Sequence, residues 1–113
     1  MTRKLYDKLV RDRIPEIIRE RGSTCGTEMY SDEGAFRRAL RDKLIEEAGE
    51  AANASEEDLA AELADLQEVV DALISAYGLN YDAVRSLQER RRAERGAFSK
   101  RLRLLWTEQS EGR

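Results

Sequence analysis

Two short acidic motifs, Glu46-Glu47-Ala48-Gly49-Glu50 and Glu62-Leu63-Ala64-Asp65, stand 11 residues apart in a chain that contains no histidine. Carboxylates gathered in this number do one kind of chemistry well: they hold a hard divalent cation through oxygen. Without histidine the Glu-x-x-His motif of di-iron bundles cannot be built, and Cys25, the lone cysteine, cannot complete a zinc site or an intrachain disulfide. All-oxygen ligation selects Mg²⁺, with Mn²⁺ as a substitute, over Ca²⁺, for which no EF-hand loop is present. Mg²⁺ bound in this way keeps coordination positions open for phosphate oxygens.

Whether the acids converge depends on the elements that carry them. Phe36, Leu40, Leu44 and Ala48 recur every four residues, which predicts an amphipathic helix from Asp32 to about Ala52 with Ser31 or Asp32 as its N-cap. At about 100° per residue, and with Phe36 at zero, Glu47 falls near 20°, inside the apolar stripe. Glu50 near 320° and Glu46 near 280° lie on its edge. The next helix is expected from Glu56 to Tyr77, with Ser55 and Asp58 as a variant capping box. On it Leu59, Leu63, Leu66, Val69, Val70 and Leu73 define the apolar face, Glu62 sits within that face and Asp65 flanks it. Glu56, Glu57, Glu68 and Asp71 diverge toward solvent. The short Asn53-Ala54-Ser55-Glu56 connection makes the two helices antiparallel neighbours, so that Glu47 and Glu50 can meet Glu62 and Asp65. Glu-rich helices are commonly solvated faces. Two such motifs on the core faces of adjacent helices are a different matter, because clustered like charges in a groove cost several kcal/mol per ion unless a cation compensates them.

Pro15 suits the first turn of a short helix over Ile14 to Arg21, which Gly22 stops. After Gly78, a fourth helix is expected over Tyr81 to Arg95, ending at Gly96. The stretch Thr27-Glu28-Met29-Tyr30 and the partly alternating run from Phe98 to Trp106 could pair as strands. The expected fold is all-α: a small antiparallel helical bundle with room for a minor two-stranded β-ribbon, one domain over residues 1–106 and a disordered tail over 107–113. Charged residues make up 38% of the 113, above the usual quarter or so, yet the net charge is only -3. That balance points to neither nucleic acid nor a membrane surface. With no apolar run near the roughly 20 residues of a membrane span and no leader-like N-terminus, a cytoplasmic protein is expected.

The acidic motifs, together with Lys-Leu-Val-Arg-Asp-Arg-Ile-Pro-Glu-Ile-Ile at Lys8 to Ile18, Lys-Leu-Ile-Glu-Glu-Ala-Gly-Glu at Lys43 to Glu50, Glu-Leu-Ala-Asp-Leu-Gln-Glu-Val-Val at Glu62 to Val70 and Arg-Gly-Ala-Phe at Arg95 to Phe98, resemble the all-α nucleoside triphosphate pyrophosphohydrolases of the MazG-like group. The blocks look most like a subgroup labelled phosphoribosyl-ATP pyrophosphohydrolase-like. Two departures are the short gap between the acidic motifs and Ala97 where the subgroup has a second glycine; neither removes a ligand.

The resemblance implies Mg²⁺-dependent cleavage between the α- and β-phosphates of a nucleoside triphosphate, giving the monophosphate and pyrophosphate, in a house-cleaning role toward noncanonical nucleotides. It implies Glu47, Glu50, Glu62 and Asp65 as metal ligands, and Glu46 with Glu47 as the catalytic candidates, Glu46 either holding a second metal or orienting the water. A triphosphate needs cationic partners, for which Lys8, Arg11, Lys43, Arg91 and Arg95 are the candidates. Asp12 and Arg13 read as structural, and Tyr77, Tyr81 and Trp106 as core rather than base-stacking residues. The alternatives are phosphoribosyl-ATP hydrolysis in histidine biosynthesis and a non-catalytic helical oligomer that binds nucleotides or a protein. Apolar edges left by so small a bundle predict a homodimer or homotetramer.

Overall fold

The computed structural model describes residues 2–110. Among them the chain forms four helices, α1 (Ile14–Glu20), α2 (Glu33–Ala52), α3 (Leu59–Ala76) and α4 (Tyr81–Arg95). The all-α class is as expected, and no described helix is long and apolar enough to cross a membrane. Among the described residues the ribbon does not form: neither 27–30 nor 97–110 contains a strand. The alternation that suggested one is interrupted at Arg101, whose φ of 55° leaves the extended region, and runs out at the consecutive Leu104, Leu105 and Trp106. Residues 111–113 of the expected tail lie outside the described residues.

The chain divides into two compact units, Met1–Tyr81 and Asp82–Arg113. In the first, α2 and α3 pack on each other. Their antiparallel course follows from the contacts at both ends. Arg37, near the start of α2, donates through Nε and Nη2 to the Ala76 carbonyl at the end of α3, at 3.1 and 2.9 Å. Glu47, near the end of α2, meets Glu62 near the start of α3.

Helix boundaries follow local chemistry. Asp32 caps α2 by accepting from the Ala35 N–H at 3.1 Å. The turn between the helices is held by Asn53 Nδ2 donating to the Gly49 carbonyl at 2.9 Å and by the Asp58 N–H donating to Ser55 Oγ at 3.3 Å. The Ser55 half of the expected box is therefore present, but Glu56, Glu57 and Asp58 stay in the turn and α3 starts at Leu59. At its other end α3 closes with Gly78 at φ 64°, the Leu79 N–H donating to the Ile74 carbonyl and the Gly78 N–H to that of Ser75. This is a Schellman cap, which a residue with a Cβ would strain.

The apolar core is thin. Leu40, Val69 and Ile74 are its buried hydrophobic residues, while Phe36 and Leu44 are half-buried and Ala48, the last position of the α2 stripe, is exposed. The second unit takes in α4 from Asp82 on; the helix runs as expected from Tyr81 to Arg95 with only Val84 half-buried, and ends at Gly96.

Candidate active site

Helical phase puts one carboxylate into the core. Glu47 is 8% exposed, the single buried charged residue among those described, because α2 turns it toward α3 in line with Leu40 and Leu44. Opposite it, α3 presents Glu62 and Asp65 one turn apart, and single carboxylate oxygens of Glu47, Glu62 and Asp65 lie within 4.8 Å of one another. Oε2 of Glu47 and Oε2 of Glu62 are buried and have no hydrogen-bond partner. Such atoms are expensive to leave unmatched.

The charges act on one another. Loss of hydration, the charges of Glu50, Asp65 and Glu47, and a hydrogen bond with Glu50 together raise the Glu62 carboxyl above its ordinary value of 4.5. Glu50 itself is exposed at the rim.

Three cations close over this face from two directions. Lys43 Nζ lies 3.3 Å from Glu47 Oε1 and 3.4 Å from Glu46 Oε2, with a side chain only 17% exposed. From the segment before α1, Lys8 Nζ donates to Glu46 Oε1 at 3.2 Å and Arg11 Nη2 to Asp65 Oδ1 at 2.8 Å. Partial burial by itself raises the Glu46 carboxyl, but the Lys8 hydrogen bond and the charges of Lys43 and Lys8 outweigh it and hold the group below 4.5.

Of the residues singled out by sequence, Lys8, Arg11, Lys43, Glu46, Glu47, Glu50, Glu62 and Asp65 thus gather in the first unit. Arg91 and Arg95 are exposed on α4 in the second. Arg13 pairs with Glu16 at 3.1 Å, a local contact at the start of α1. Tyr77 is half-buried under Arg37 and Arg41, whose guanidinium carbons stand 4.7 and 5.0 Å from its ring centre, while Tyr81 and Trp106 are exposed rather than core.

A cleft beside the acids was not anticipated. Asp7, Lys8, Leu9, Tyr30, Ala39, Asp42, Lys43 and Glu46 line it. Its α2 wall was readable, since Ala39, Asp42, Lys43 and Glu46 recur at helical spacing on one face. The part supplied by Asp7, Leu9 and Tyr30 comes from irregular segments that no periodicity places.

The residues fit a hard divalent cation. The donors are carboxylate oxygens from two helices, two of them buried without a partner, and the chain has no histidine to divert the site toward nitrogen-preferring metals.

A family model described as phosphoribosyl-ATP pyrophosphohydrolase matches residues 11–92, a span that contains both acidic motifs, α1, α2 and α3. No curated protein matches the chain, and no solved structure does. The match covers well over half of the chain, and with the helical hairpin that joins the two acidic motifs it places the protein: it belongs to the phosphoribosyl-ATP pyrophosphohydrolase family of the MazG-like all-α superfamily, hydrolases of a pyrophosphate bond in a nucleotide.

Proposed function

We propose that the chain is a Mg²⁺-dependent enzyme that cleaves a nucleoside triphosphate between the α- and β-phosphates, releasing the monophosphate and pyrophosphate, with Mn²⁺ able to substitute. The observation that carries the reading is the Glu47, Glu62 and Asp65 cluster, whose oxygens lie within 4.8 Å and include buried atoms with no protein partner. Glu47, Glu62 and Asp65, with Glu50 at the rim, would hold the metal. When bound, Mg²⁺ supplies neutralisation of phosphate charge and polarisation of an attacking water. Lys43 lies between this cluster and the cleft, Lys8 stands beside it on Glu46 and Arg11 on Asp65, so that the phosphate chain meets ammonium and guanidinium donors around the acids. Attack of water on the α-phosphorus breaks its bond to the bridging oxygen, and pyrophosphate leaves with that oxygen.

A role in clearing noncanonical nucleotides suits a site whose donors address phosphates rather than a particular base. The family match favours a second reading, phosphoribosyl-ATP as substrate. Both substrates are cut at the same bond, so the chemistry of the acids does not separate them. Turnover of a panel of triphosphates and phosphoribosyl-ATP by pure protein does, and rescue of a histidine auxotroph lacking that hydrolase would decide for the second.

We also propose a homo-oligomer, dimer or tetramer. Ile45, Leu59 and Leu63 are 72%, 39% and 49% exposed on the hairpin whose own buried apolar residues are three, and association would cover them. Sedimentation at a single monomer mass across micromolar concentrations would contradict this.

A further inference from the structure

The five acids of the two motifs do not act alike. Glu47, Glu62 and Asp65 point their oxygens at one another, whereas Glu46 turns away into the cleft and has both oxygens engaged, Oε1 by Lys8 and Oε2 by Lys43. The helix accounts for the split, since Glu46 and Glu47 are about 100° apart on α2. Lys43, one turn before both, reaches each of them.

We propose that Glu46 is a positioning residue: it holds Lys8 and Lys43 as a preformed pair of ammonium groups that bind phosphate oxygens of the nucleotide, and it neither ligates the metal nor takes the proton from water. The proposal rests on the phosphohydrolase reading and names the work of one of its acids.

Three observations carry it. First, a ligand or base needs a free oxygen facing the reacting atoms, and both Glu46 oxygens face lysines. Second, the lysines come from parts of the chain 35 residues apart (43 minus 8), and Glu46 is the carboxylate that both contact. Without it two ammonium groups converging on one cleft would repel each other and disperse, because lysine side chains carry large rotamer entropy. Third, the arrangement leaves donors to spare. An ammonium has three N–H groups; Lys8 and Lys43 each donate one to Glu46, and Lys43 is also ion-paired with Glu47 at 3.3 Å. Donors therefore remain on both lysines, and the trio of Lys8, Lys43 and Glu46 by itself carries one net positive charge in a lining that also includes Asp7 and Asp42.

The test compares wild type with Glu46→Gln, Lys8→Met and Glu47→Gln in two measurements that need no turnover: the rise in melting temperature with Mg²⁺ alone, and calorimetric binding of magnesium pyrophosphate. Glu46→Gln is expected to keep the Mg²⁺ response, which Glu47→Gln loses, and to weaken pyrophosphate binding about tenfold, the size of one charge-assisted contact. Lys8→Met, at a half-exposed side chain, is expected to weaken pyrophosphate binding similarly. The Glu46→Gln, Lys8→Met double variant should fall short of the sum of the two losses, because the residues act as one unit. With a nucleotide that is turned over, the Glu46→Gln loss is expected in KM rather than kcat. A Mg²⁺ response lost in Glu46→Gln, pyrophosphate affinity unchanged in that variant, or no pyrophosphate binding by wild type would overturn the proposal. Because neither binding measurement requires hydrolysis, the role of Glu46 is decided even where no nucleotide is cleaved.

Discussion

Arg11 Nη2 donates to Asp65 Oδ1 at 2.8 Å, tying the segment before α1 to the acidic face of α3 across 54 residues of sequence. Both side chains are about half exposed, so the pair contributes no more than about 1 kcal/mol to stability. Its consequence lies in the site, where a guanidinium shares a carboxylate with the metal that Asp65 is proposed to hold. Arg11→Met should therefore act in opposite directions on two quantities: Mg²⁺ binds more tightly, because a neighbouring positive charge is gone, and nucleotide KM rises, because a phosphate donor is gone. Mg²⁺-dependent melting and steady-state kinetics on one preparation measure both. Changes in the same direction would show that Arg11 only anchors the loop.

Glu47→Gln isolates the buried carboxylate. The amide keeps the volume and a neutral group suits the site better than a charge pressed against Glu62 and Asp65, so the metal-free variant should unfold at or above the wild-type temperature. Mg²⁺ should then add little, and activity should fall by a factor of about 100 or more. Metal-free destabilisation of several kcal/mol would instead mean that the Lys43 contact at 3.3 Å is what Glu47 chiefly supplies.

The raised Glu62 carboxyl sets a pH dependence in the metal-free protein. Its folded value lies above the unfolded one, so its contribution to stability is fully present below about 4.5 and is lost as pH rises through the raised value. Glu62→Gln, which stays neutral, should gain stability relative to wild type on going from about pH 5 to about pH 8. Glu46 has the opposite sign, its contribution being present above 4.5 and lost as pH falls through its lowered value. Denaturant unfolding of Glu62→Gln at about pH 5 and 8, and of Glu46→Gln at about pH 3 and 6, measures the two effects, and a Glu62→Gln advantage that shrinks as pH rises would falsify the first.

At the far end of the hairpin, Arg37 donates twice to the Ala76 carbonyl and lies over the Tyr77 ring, while Arg41 Nε donates to the Tyr77 hydroxyl at 2.7 Å. A cation on the last carbonyls of α3 complements its dipole. Arg37→Ala should cost about 1–2 kcal/mol of stability and leave kcat per folded molecule unchanged, as read by denaturant melts and active-site-normalised rates.

Sequence periodicity reached Glu47, whose place in the apolar stripe of α2 follows from counting turns, and it reached the facing pair Glu62 and Asp65 because a short turn leaves adjacent helices few arrangements. Gly22, Gly78 and Gly96 marked helix ends for the same local reason, a positive φ that they adopt at little cost. What periodicity missed depends on tertiary partners. Glu56, Glu57 and Asp58 stay in a turn where Ser55 Oγ accepts the Asp58 N–H and Asn53 closes α2 on the Gly49 carbonyl. Arg37 and Arg41 acquire their partners only where the end of α3 comes within reach. The pairing of Lys8 with Glu46 is set by the course of an irregular segment, on which helical phase has no bearing.

Product analysis tests the central claim most directly. With pure protein, Mg²⁺ and each nucleotide of the panel, phosphorus-31 resonance should show monophosphate and pyrophosphate appearing in equal amounts, with the rate abolished by chelation and by Glu47→Gln. Diphosphate and orthophosphate as products, or no cleavage of any triphosphate or of phosphoribosyl-ATP with either Mg²⁺ or Mn²⁺, would contradict it.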